Sequence, residues 1–214
     1  MPAFIPGKQL CASYFFEIAK PILDESFPEL HYTAGLLGYG SDVLGYDDAV
    51  SCDHMWGPRF YLFLRQEEKA LEPEIRRVFA ARLPYTYQGY SVNFSAPDPE
   101  DHGVRHPVLI DHGEVNPLLF IQTVPEYLQE RLGLSDLNRL TAADWLSFSE
   151  HRLLSLASAQ FYVDRLAEAA VEALRGTELE GVPLMGSLSQ IGGLSTVSDD
   201  VSCRNRVRCF YEKN

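Results

Sequence analysis

The sequence predicts an α/β fold of the α+β kind: a mixed β-sheet with flanking helices, followed by a helical C-terminal region. Three observations carry this reading. Short runs rich in aromatic and β-branched residues alternate with longer segments whose apolar residues recur at helical spacing. Two of the strand-like runs, Ala34–Leu37 and Phe60–Leu64, flank a glycine-rich turn. From about Val124 onward the strand-like runs stop and helical patterns take over. The expected division is a sheet domain over 1–125 and a helical region over 126–214.

Each element has its own signal. Residues 8–27 place Leu10, Tyr14, Ile18 and Ile22 four apart, one apolar stripe of an amphipathic helix. Pro21 should kink it or divide it into two pieces, and Pro28 ends it. A strand His31–Leu37 leads into the turn. Ser41 and Asp42 can cap a short helix over Val43–Tyr46. A second strand covers 59–65. Glu67–Leu83 reads as a charged helix whose core face is Leu71, Ile75, Val78 and Phe79, stopped by Pro84. Tyr85–Ser95 has strand or hairpin composition. Residues 96–103 form a polar, proline-containing connection. Pro107–Asp111 and Leu118–Thr123 are two further expected strands. Pro125–Leu132 is a short helix ended by Gly133. Thr141 and Asp144 have capping-box spacing, Phe161–Leu174 has the apolar spacing of a helix, and Val201–Tyr211 reads as a last helix with a basic face.

Composition narrows the function classes. Apolar residues make up 46% of the 214 and charged residues 22%, enough to bury a core and too apolar for a disordered chain. No apolar run approaches the roughly 20 residues that span a bilayer. The start of the chain lacks a charged segment followed by an apolar one, so no secretion signal is expected. Cys11, Cys52, Cys203 and Cys209 have no paired spacing and read as free thiols in a reducing cytoplasm. A net charge of −12 opposes binding to a long nucleic acid, whose affinity rests on neutralising phosphates with Lys and Arg. A small nucleotide held through a cation is compatible with that charge.

The chemistry-bearing stretch is 35–65. Gly40 and Ser41 follow the first strand, and Asp53 stands after eleven intervening residues near the second. Glycines let backbone N–H groups approach a phosphate, and a helix start favours the anion. An acid across from them can hold a divalent ion that bridges to the same phosphate. The plain alternative is an ordinary strand-to-helix turn with a serine cap. Asp42 joins this turn, and Arg59 can reach a phosphate or pair with Asp53. His102, His106 and His112 beside Asp111 match no closed zinc spacing. Ser51 and Cys52 have no evident His–Asp partner for nucleophilic catalysis.

The stretch resembles the signature of the nucleotidyltransferase superfamily that includes DNA polymerase beta: an apolar residue, Gly, Gly or Ser, a spacer, then acid-apolar-acid on a strand. More narrowly, GYGSDVLGYDDAVSCDHMWGPRFYLFL, with YSVNFS and DWLSF later, resembles an uncharacterised nucleotidyltransferase-like family that carries only a domain-of-unknown-function label. The resemblance covers about residues 8–155 and resumes at GVPLMGSLSQ, as in a shortened member. It implies transfer of a nucleotidyl group from a nucleoside triphosphate to a small-molecule or protein hydroxyl, with Mg²⁺ as cofactor. Gly40, Ser41, Asp42 and Arg59 would contact the nucleotide, and Asp53 would be the catalytic metal ligand. Two positions depart from the pattern: Met55 stands where the second acid belongs, and Asn93 fills the slot of the third. Asp111 is the alternative third metal ligand. The rival reading is a nucleotide-binding or structural relative that has lost catalysis.

Overall fold

A computed structural model of the chain describes residues 4–50, 55–133, 144, 147–149, 158–164 and 166. Asp53, the Thr141 cap, the Val201–Tyr211 helix and most of 126–214 lie outside them.

The chain opens with helix α1 (Gly7–Tyr14), a π-helical turn (Phe15–Ala19) and helix α2 (Lys20–Ser26). The widened turn falls just ahead of Pro21, which has no N–H to give to the preceding turn, so the helix continues through the proline instead of dividing. Leu10, Tyr14 and Ile22 of the expected stripe are buried, and Ile18 packs half-buried at its margin.

Strand β1 (Tyr32–Leu36) is followed by the short helix α3 (Ser41–Leu44) and by β2 (Arg59–Leu64). A 3₁₀ turn (Gln66–Leu71) leads into α4 (Glu72–Arg82), with Pro73 in its first turn. The hairpin β3 (Thr86–Tyr87) and β4 (Tyr90–Ser91) comes next, then β5 (Leu118–Gln122), α5 (Val124–Leu132) and β6 (Gln160–Asp164). Leu71, expected on the core face of α4, falls in the 3₁₀ turn ahead of it and is exposed. Ile75 and Phe79 are fully buried as expected.

The main sheet has the order β5-β2-β1-β6. β1 and β2 are antiparallel neighbours, with Thr33 opposite Phe63, and β2 and β5 run parallel. The fold is therefore α+β with a mixed sheet. The parallel pair needs a crossover, which the 3₁₀ turn, α4 and the segment up to β5 supply. β1 and β2 are buried along their whole length, which explains why they read as unbroken apolar runs rather than alternating ones. Alternation reappears in what the side chains meet. Phe60, Leu62 and Leu64 enter the large core under α1, α2 and α4, while Tyr61 and Phe63 enter a smaller core with Tyr127 and Leu132 of α5.

Two expectations are corrected. Residues 160–164, expected to begin a helix, form strand β6 and pair antiparallel with β1, with a register shift between Ala34 and Gly35. The sheet thus takes an edge strand from beyond the boundary expected near 125. Pro107–Asp111 is not a strand. It makes one isolated bridge, Phe94 with Pro107, and is held at Val108, whose carbonyl accepts from Ser91 Oγ (2.8 Å) and Asn93 Nδ2 (3.1 Å). Proline cannot donate to a ladder, so pairing stops at two backbone bonds, Val108 N to Asn93 O and Ser95 N to His106 O at 2.9 Å each, and the side chains add to them.

β5 is the other edge. Its outward carbonyls accept from cations at alternate positions: Arg105 Nη1 to Pro117 O at 3.2 Å, Arg76 Nη1 to Leu119 O at 3.0 Å, and Lys69 Nζ to Ile121 O at 2.8 Å. A strand edge with its acceptors spent in this way offers no template for pairing with another chain.

Candidate functional site

The candidate site lies where β1 ends and β2 begins. Gly38 and Gly40 both hold positive φ, +92° and +117°, which a side chain would strain. Space forbids one as well. A Cβ on Gly40 would fall onto Asp42 Oδ1 and lie 2.7 Å from Arg59 Nη2. A Cβ on Gly38 would lie 2.8 Å from the Tyr61 hydroxyl and 3.2 Å from Arg131 Nη2. Gly40 is the N-cap position of α3, and Ser41 follows, half-buried, its hydroxyl making no hydrogen bond to a described residue.

Asp42 and Arg59 form a bidentate ion pair, Nη1 to Oδ2 at 2.6 Å and Nη2 to Oδ1 at 2.8 Å, with both side chains 1% exposed. Arg59 Nη2 also donates to the Tyr39 carbonyl at 3.0 Å, and Asp42 Oδ1 accepts from the Val43 amide at 2.9 Å. Burial alone would pull the Arg59 pKa down, but the adjacent Asp42 outweighs it and raises it, so the guanidinium stays charged. The pair ties the first turn of α3 to the first residue of β2 and fixes the glycine turn between them. Both residues were expected to touch a nucleotide; here they spend their charge on each other.

The other acids divide in the same physical way. Asp47 Oδ2 accepts from the Gly7 amide (2.6 Å) and from Trp56 Nε1 (3.1 Å), anchoring the start of α1. Lys8 beside it is half-buried, and burial lowers its pKa against the attraction of Asp42 and Asp47. Met55 is not on a strand: it precedes β2 in a bend, at φ +47°, and its amide donates to the Arg105 carbonyl at 3.2 Å. Asn93 is buried, with Nδ2 on Val108 O and Oδ1 accepting from the Asn116 amide at 2.8 Å. Asp111 is exposed, and its carboxylate lies against Nδ1 of His112. Among the described residues no group of three or more His, Cys, Asp or Glu is placed to hold a metal. The described donors do not fit Mg²⁺: Asp42 is neutralised by Arg59, Met55 has no oxygen in its side chain, Asn93 is committed to backbone, and Asp111 is turned to solvent beside a histidine.

The turn has a second wall that the sequence did not point to. Arg131, in the last turn of α5, donates from Nη2 to the Tyr61 hydroxyl at 3.1 Å. Its guanidinium carbon is 5.7 Å from the Tyr39 ring centre and 5.6 Å from that of Tyr127. Among the described residues the hydroxyls of Tyr39 and Tyr127 and Arg131 Nε are buried without a well-formed hydrogen bond, the Tyr127 hydroxyl lying close to Arg131. Each such group costs about 1–3 kcal/mol relative to a satisfied one. Burial raises the pKa of Tyr39, Tyr61 and Tyr127, so all three hydroxyls keep their protons at neutral pH. In sequence, an arginine near a helix C-terminus reads as a partner for the helix dipole, which is why Arg131 gave no signal.

No protein-family model, curated protein or solved structure matches the chain. Among the described residues no helix is long and apolar enough to cross a membrane.

Proposed function

We propose that the chain binds a nucleoside triphosphate at the Gly38–Ser41 turn, as a relative of the nucleotidyltransferase fold in which metal-dependent transfer is reduced or lost. The observation that carries this reading is the turn itself. Two glycines at positive φ and a serine with an unspent hydroxyl open helix α3, and the Arg131 guanidinium stands near Gly38 beside the Tyr61 hydroxyl, which lies closer. Backbone approach, a hydroxyl and a cation are what a phosphate group needs. The loss of transfer is supported by Met55 and Asn93, neither of which offers a carboxylate. A net charge of −12 favours a small nucleotide over a long polynucleotide. A buried, unpaired Cys11 thiol accords with a reducing compartment such as the cytoplasm.

Calorimetric titration with ATP, GTP, CTP and UTP, with and without Mg²⁺, tests the reading. Saturable binding of at least one of them supports it; no heat from any nucleotide in either condition sinks it.

The second reading is metal-dependent nucleotidyl transfer to a small-molecule or protein hydroxyl. It is favoured by connectivity, because a strand, the glycine-serine turn and a neighbouring second strand follow in the order the resemblance implies. Nucleotide-dependent release of pyrophosphate that disappears in Asp53→Ala would favour it over loss of catalysis.

A further inference from the structure

The tyrosine–arginine wall has a property that packing does not explain. Tyr61 and Tyr127 are 2% and 3% exposed, and both rings pack in the smaller core. Packing alone would be served as well by phenylalanine. Instead three tyrosines stand around one guanidinium beside Gly38, one hydroxyl bonded to it and two rings 5.7 and 5.6 Å from its carbon. The Tyr61 oxygen accepts from Arg131, and the Tyr39 and Tyr127 hydroxyls and Arg131 Nε have no well-formed hydrogen bond among the described residues. Every unspent group in the cluster can donate: the two phenol O–H groups, whose oxygens can also accept, and Arg131 Nε–H. A buried set of unmatched donors marks a place for an acceptor-rich anion, and a guanidinium adds charge and a planar fork. The resident anion nearby, Glu130, lies 3.3 Å from Arg131 Nη2, half-exposed, and its other oxygen is held by Gln122 Nε2 at 2.6 Å. It balances Arg131 from the solvent side and leaves the hydroxyls unmatched.

We propose that Arg131, with the hydroxyls of Tyr39 and Tyr127, receives a phosphate group of the ligand seated on the Gly38–Ser41 turn. The inference rests on the nucleotide-binding reading and adds to it the residues that take the negative charge. Arg59 is excluded from this part because its fork is filled by Asp42. Arg131 supplies the cation, and the tyrosines supply neutral donors whose protons are locked on by burial.

The test is calorimetric titration of the full chain and of Tyr39→Phe, Tyr127→Phe and Arg131→Lys with ATP and with inorganic tripolyphosphate, alongside unliganded melts. Removing an unpartnered buried hydroxyl should leave the melting temperature unchanged or raise it, so the phenylalanine variants stay interpretable if Arg131→Lys misfolds. The expected result is that both ligands bind the parent chain and that each variant weakens both by about tenfold or more. Phenylalanine variants that bind ATP as well as the parent overturn the proposal and leave the turn reading standing. A loss confined to tripolyphosphate, with ATP unaffected, also overturns it, since the site would then take free phosphate and not the nucleotide. If the parent binds neither ligand, the reading and the proposal fall together.

Discussion

Tyr39 lies between two arginines that are used in opposite ways. The Arg59 guanidinium carbon is 5.5 Å from the ring centre and that of Arg131 is 5.7 Å. Arg59 is 1% exposed, saturates both oxygens of Asp42 and reaches the Tyr39 carbonyl. Arg131 is 23% exposed, makes one hydrogen bond to a tyrosine hydroxyl and a longer contact to Glu130. The first arginine builds the turn, and the second faces it with capacity left over. Each leaves its Nε without a partner among the described residues, so the difference lies in charge: the residue to watch is the cation that no buried carboxylate takes up.

The largest effect should come from breaking the saturated side. Asp42→Ala leaves the Arg59 charge buried and unpaired, which should cost about 3–5 kcal/mol in a urea titration. Replacing both partners, Asp42→Leu with Arg59→Met, should recover most of that loss, because a buried pair exchanged for apolar groups is often neutral. A single-variant cost under about 1 kcal/mol would mean that the pair does not fix the turn.

Gly40→Ala should follow in size. The left-handed backbone costs roughly 1–2 kcal/mol, and crowding the ion pair adds about 1–3 kcal/mol. An alanine variant as stable as the parent would show that the turn can relax away from Asp42.

Smaller again is the response to alkaline pH, to which the tyrosine side contributes together with Tyr14, Tyr87 and Tyr162, whose values burial also raises. Burial puts the folded-state values of Tyr39, Tyr61 and Tyr127 above their unfolded value of 10.0. Their contribution is therefore fully present below about pH 10 and is lost as pH rises through the folded values, because the unfolded chain ionises first. Cys11, raised by burial from 9.0 to about 12, adds to the loss from about pH 9. Each group steepens the fall by up to about 1.4 kcal/mol per pH unit. Urea midpoints measured from pH 8 to 11 should decline with growing slope, and Tyr127→Phe should remove one group's share. Arg59 stays charged across that range, so a decline unaltered by the tyrosine substitution would place the loss elsewhere.

The fold was legible where burial is two-sided or helical spacing is local. The runs Ala34–Leu37, Phe60–Leu64 and Leu118–Thr123 marked β1, β2 and β5, and Ile75 and Phe79 marked the inner face of α4. What escaped depends on distant partners. β6 pairs with β1 across more than a hundred residues, and nothing in the local order of Phe161, Tyr162 and Val163 separates a strand from the first turn of a helix. The hairpin at Gln88-Gly89 was legible from its composition, whereas the segment after Pro107 looked like a strand and is pinned by Ser91 and Asn93 instead. At the site, the glycine turn could be read because special backbone needs special residues. The engagement of Asp42 with Arg59 could not, since it depends on α3 meeting the first residue of β2. Nor could Arg131, whose part depends on α5 folding back onto Tyr61.

The most direct test of the contrast between the two arginines is the melting temperature of Arg131→Gln with and without saturating ATP and Mg²⁺. A cation held over aromatic rings contributes about 0.5–2 kcal/mol, so the unliganded melt should fall by only a few degrees. The ATP-induced rise expected of the parent chain should disappear, because the variant no longer binds the ligand that produces it. An unliganded melt lowered as far as that of Asp42→Ala, with the ATP-induced rise intact, would contradict the account and make Arg131 a second structural arginine.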